Sequence, residues 1–197
     1  WQIWQRQLPD KMTNNTRTQE KDRFIYPRND GESFYNIVPT IFALFGKKIG
    51  KPTLPPKMYQ DYIHNNSKII LFLLDSLGYG QFRNFSKKFP LLSRLFKKGR
   101  VFPLTSIFPS TTAAAITTLH TGLTPQEHGL IEWHLYLTEI DEIIQSLPFS
   151  PLGKKQKPGS LIKKGVDPRI LFAGTTIHRR LKRAGIPSYI FLKKNYA

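Results

Sequence analysis

Apolar and polar positions fall into blocks along the chain, and the period of the apolar residues changes from block to block. From Phe34 to Phe45, "FYNIVPTIFALF" sets Ile37, Ile41, Leu44 and Phe45 on one helical face, with Gly46 as a stop and Pro39 as an early break. "IILFLL", Ile69 to Leu74, is a continuous apolar run that ends in Asp75 and is followed by Gly78 and Gly80. Such a run suits a strand buried on both faces of a parallel sheet. "FPLLSRLFKKG" then repeats Leu91, Leu92, Leu95 and Phe96 at helical spacing and closes on Lys97, Lys98 and Gly99, as a crossover helix would. "RVFPLTSIF" reads as a second strand and "PSTTAAAITTLHTG" as another helix. "ILFAGTTIHRRLKRAG" reads as a helix before a last strand from Ser188 to Leu192. The order strand, helix, strand, helix predicts an α/β layered fold.

The polar blocks punctuate this pattern. Residues 1–33 lack an apolar period and read as an extended arm; "KPTLPPK" is a linker, "YQDYIHNN" a short helix, and "SPLGKKQKPGSLIKKG" a loop. "IEWHLYLTEIDEIIQSLPFS" follows Gly129 directly, so it is expected to cover the sheet or line a substrate entrance rather than to dock a partner helix. With 197 residues, 40% of them hydrophobic and including 14 Phe, the chain can bury one sizeable core.

Charge changes the picture only modestly. The net charge is +17, and residues 151–197 carry 12 Lys/Arg against the single acid Asp167. Clustered cations suit nucleic acid, but no nucleic-acid motif accompanies them, and a solvated basic surface is favoured. With no cysteine, disulfides, thiolate nucleophiles and Cys-ligated metals are excluded. The apolar run 69–74 is far too short to span a membrane, and oligomeric state is not legible. Trp1 is not an initiator and no signal-peptide core follows it, so a processed start or a fragment is expected.

The chemistry concentrates in "FPSTTAAAITTLHTGLTPQEHG", Phe108 to Gly129. Small residues let a backbone approach a ligand or a second helix, and a helix N-terminus favours a phosphate. A threonine there could attack phosphorus, provided that a base or metal activates its weakly nucleophilic hydroxyl. Asp75, at the carboxyl end of the preceding predicted strand, is placed to hold such a metal.

"LLDSLGYG" followed by "FPSTTAAAITTLHTGLTPQEHGL" resembles the alkaline phosphatase superfamily, and within it the type I phosphodiesterase/nucleotide pyrophosphatase branch. The resemblance lies in an Asp at a strand end, a Phe-Pro-x-x-Thr motif, a Thr121-Gly122 pair that begins twelve residues after Pro109, and then Pro125, His128 and Gly129. It implies a three-layer α/β/α fold, of which residues 34–197 would be the N-terminal part. It also implies that Asp75 is a metal ligand and that Thr112 is both the nucleophile and a ligand, with Thr111 as the alternative nucleophile. Two divalent ions, zinc in this family, and a small phosphate mono- or diester substrate follow from it.

Three departures stand out. Ser76 replaces the family's usual glycine, Ala115 replaces a phosphate-contacting asparagine, and the remaining metal ligands are expected beyond Ala197. His128 is expected to be structural, and His64, His120, His134 and His178 to be surface or packing residues, since no pair has ligand spacing on one helix. The reading is therefore a phosphoric ester hydrolase, as a fragment of low activity. A non-catalytic basic binding module and a degenerate family member are the alternatives.

Overall fold

The computed structural model describes residues 25–63, 68–153 and 157–191. Most of the arm, His64 and Leu192 lie outside the described residues. Within them the chain forms α1 (Ile37–Leu44), α2 (Tyr79–Ser86), α3 (Pro90–Lys98), α4 (Thr112–Thr121) and α5 (Pro125–His128). Then come β1 (His134–Leu137), β2 (Glu142–Gln145), β3 (Ser150–Pro151), α6 (Ser160–Lys163) and α7 (Ile177–Arg183). This is a mixture of helices with a small antiparallel sheet, consistent with an α/β chain.

α1 is continuous through Pro39, because proline in a helix's first turn removes an N–H that would have had no intrahelical partner. Its buried side is Val38, Thr40 and Phe42, not the predicted Ile37, Ile41, Leu44 face. Val38 and Phe42 pack with Ile177 and Leu181 of α7, and Ile41 joins only at the margin. A second cluster, Tyr35, Ile107 and Ala114, joins the turn before α1 to α4. Residues 28–33, in the stretch read as an arm, are tied to this body: the Arg28 N–H donates to Thr105 Oγ1 at 2.9 Å, and Ser33 bridges Thr105 in parallel.

The segment 131–152 forms its own antiparallel sheet in the order β1-β2-β3, with Leu135 opposite Ile144 and Gln145 opposite Ser150. Leu137, Ile144 and Phe149 bury one face of it against Leu161 of α6. It is a separate small sheet in its own right.

The expected parallel sheet is the main correction. Ile69–Leu74 forms no paired strand, and its side chains from Ile70 onward are exposed, Phe72 to 80%. The run 101–107 contributes only the bridge at Thr105, and residues 188–191 are unpaired, with Phe191 94% exposed. An apolar run reports what a segment can be buried against, whereas a parallel ladder also needs a neighbouring strand. Apart from the single bridge of Ser33 to Thr105, no described residue pairs with these runs as a strand.

Candidate active site

α4 begins where the chain leaves the cis Phe108–Pro109 bond and the exposed Ser110. Thr111 is its N-cap. The Thr111 hydroxyl accepts from the Ala114 N–H at 3.2 Å and donates to the Ile131 carbonyl at 2.7 Å, in a nearly closed position. Cap and latch together use the hydroxyl's proton and one acceptor site, which is a structural role.

Thr112, the next residue, opens the helix and is half-buried. Its Oγ1 donates to Asp75 Oδ2 at 3.3 Å across 37 positions of sequence. The other carboxylate oxygen, Oδ1, accepts from the Ser76 N–H at 2.8 Å. Ser76 holds φ at 61°, in the left-handed region that glycine enters freely, which gives a physical reason for a glycine at this position of the pattern. Ala115 lies one turn further into the helix, half-buried beside the Tyr35–Ile107–Ala114 cluster.

The downstream half of the motif is a set of helix stops and starts. Gly122 is the left-handed C-cap of α4 at φ 68°, and a Cβ there would meet Val38 Cγ1 at 2.8 Å. Pro125 starts α5, Glu127 accepts from the Thr124 N–H at 2.7 Å, and Gly129 ends the helix at φ 80°. Lys51 reaches in to Glu127 at 2.7 Å. Burial works against the Glu127 carboxylate, but the Lys51 and Thr124 bonds outweigh it and leave its pKa below the ordinary value.

His128 is buried. Its Nδ1 accepts from the Leu130 N–H at 3.0 Å, so Nε2 carries the proton and meets Thr118 Oγ1 at 3.1 Å. Burial lowers its pKa, and the neutral ring pins α5 to α4. His120 and His178 come from different helices, α4 and α7, yet their rings lie 5.8 Å apart. His178 Nδ1 also meets Ser188 Oγ at 2.9 Å. Burial, and then the neighbouring His178, lower the pKa of His120. Spacing within one helix could not reveal this pair, because the contact is tertiary.

Residues 69–160 match the family model described as type I phosphodiesterase / nucleotide pyrophosphatase. That is the family to which this stretch, just under half of the chain, is similar. The resemblance to the alkaline phosphatase superfamily is thereby borne out over a stretch that holds Asp75, Thr112 and the whole 108–129 motif. No curated protein and no solved structure matches the chain. The family points to phosphoester hydrolysis and is typically metal-dependent. Among the described residues no group of three or more His, Asp or Glu side chains gathers. What the site offers a cation is two converging oxygens, Asp75 Oδ2 and Thr112 Oγ1, a hard donor pair that fits part of a divalent-ion shell.

Proposed function

We propose that this chain carries the nucleophile-bearing part of a metal-dependent phosphoric ester hydrolase, with Thr112 as nucleophile and Asp75 as its carboxylate partner. The 3.3 Å approach of Thr112 Oγ1 to Asp75 Oδ2 carries the reading, since two residues so distant in sequence meet at a helix start. Thr111 is set aside as nucleophile because its hydroxyl is committed to the Ala114 N–H and the Ile131 carbonyl.

The Asp75 carboxylate fixes the Thr112 hydroxyl and aligns a lone pair for in-line attack. The positive end of the α4 dipole favours the phosphoryl group in front of it. The Oγ1–P bond would form as the P–O bond to the leaving alcohol breaks, with the Thr112 proton passing by way of Asp75 or solvent to the leaving oxygen, and water would then release phosphate from a monoester, or a phosphate monoester from a diester, and restore Thr112. A divalent ion held by Asp75 and Thr112 would lower the hydroxyl pKa and offset charge on the phosphoryl oxygens. Two oxygens hold an ion weakly, so this chain by itself is expected to turn over little.

The test is hydrolysis of p-nitrophenyl phosphate and bis-p-nitrophenyl phosphate with added zinc. It uses this chain beside a version extended through the downstream reading frame. The extended protein should be active, lose about 10³-fold or more with Thr112→Ala, and lose little with Thr111→Ser. Activity indifferent to Thr112→Ala would overturn the assignment. A folded extended protein with no activity would favour the degenerate family member.

A further inference from the structure

We propose that the α2–α3 hairpin docks on an anionic lipid surface. Between residues 76 and 126 the chain has seven Lys/Arg and no Asp or Glu, and all seven fall within 83–100, on and beside these two helices. On α3, Leu91 and Leu95 are one turn apart, and both are exposed, Leu91 to 70%. Arg94, Lys97 and Lys98 share a second face at spacings of three and four, and they too are exposed. No side chain of α3 is buried.

Aromatic contacts stiffen the hairpin and leave its apolar rim outward. Phe82 meets Phe96 with ring centres 6.4 Å apart, and Phe85 meets Phe89 edge-on at 5.8 Å, while Phe85, Phe89 and Phe96 all stay exposed. The ion pairs among the described residues engage Arg28, Lys51, Arg100 and Arg169, and none engages Lys87, Lys88, Arg94, Lys97 or Lys98.

Charge complementarity selects the occupant. Phosphate-bearing headgroups satisfy the cations, and the acyl boundary beneath them accepts the exposed Leu91 and Leu95. A nucleic acid supplies the phosphates but leaves the leucines in water. Among the described residues no helix is long and apolar enough to cross a membrane, so the contact would lie in the interface plane.

The test is co-sedimentation of the 197-residue chain with vesicles of phosphatidylcholine alone and of phosphatidylcholine mixed with phosphatidylglycerol, with circular dichroism on every variant. Binding is expected to the anionic vesicles only. Lys97→Glu with Lys98→Glu should weaken it at least tenfold, since each basic residue near such a surface contributes about fivefold. Leu91→Ser with Leu95→Ser should weaken it by a similar factor, and Lys163→Glu with Lys164→Glu at the end of α6 should change it less than twofold. Equal binding to both vesicle types, or to neither, overturns the proposal. Indifference to the leucine pair, together with tight binding to DNA, overturns it in favour of a nucleic-acid surface.

Discussion

Residues 108–130 and residues 69–100 belong to the same matched family segment and are built in opposite ways. The first is dense with small and hydroxylated residues, yet Ala113, Ala114, Thr117, Thr118 and Thr121 are all buried. The second holds the most apolar run of the chain, and that run is exposed. Burial therefore follows the available neighbours rather than the hydrophobicity of the letters. α4 has the turn at 34–36, α5 and α7 around it, and its small residues let them approach.

Four measurements break or sharpen this contrast. The largest effect is expected from His128→Ala, which removes the partners of Thr118 Oγ1 and of the Leu130 N–H and leaves a cavity. Denaturant unfolding should show a loss of about 3 kcal/mol. Gly122→Ala adds one methyl at φ 68° against Val38 Cγ1, and thermal or urea melts should register a loss of about 1–3 kcal/mol.

The third measurement is a pH titration of stability. His120 and His128 both have folded pKa values below the ordinary 6.5, so each is held neutral in the native state. Unfolding takes up protons below that value. Stability is thus fully present above pH 6.5 and is lost as the pH falls toward the folded values. His178→Gln should lessen the loss by removing the like charge beside His120. A stability profile rising as pH falls from 6.5 would contradict the buried neutral rings. The smallest effect is expected from Phe72→Ser and Phe191→Ser, each within about 0.5 kcal/mol of the parent in the same melts, although each removes a large apolar side chain.

α1, α3, α4 and α7 are legible because their signals are local: apolar residues at helical spacing, with Gly46, Gly99 and Gly122 as stops within a few residues. α2 and α5 are not read as helices, and α6 lies in a stretch read as a loop, because a helix of one or two turns carries too few apolar positions to show a period. The pairing of Asp75 with Thr112 was legible only through the resemblance, since no local rule joins residues 37 positions apart. The parallel sheet was misread because the apolar period of Ile69–Leu74 cannot tell whether a second strand stands next to it. The β1-β2-β3 sheet was also missed as such. Its strands are two to four residues long, and their left-handed turn residues, Asp141 and Phe149, are not glycines, so the usual hairpin punctuation is missing. The His120–His178 contact follows from the packing of α7 on α4, which no periodicity encodes.

The two adjacent threonines at the start of α4 hold identical letters under unequal rules of substitution. At position 111 the chain needs a small side chain that both gives and receives a hydrogen bond; serine meets that demand, and valine, of nearly the same shape, does not. At position 112 valine would leave the fold standing and silence the oxygen that faces Asp75. A single interchange, valine for threonine, is thus expected to cost stability at one position and, on the role proposed for Thr112, to cost activity without stability at the next. Inherited damage to the scaffold and to the chemistry can therefore be told apart by whether folded protein persists.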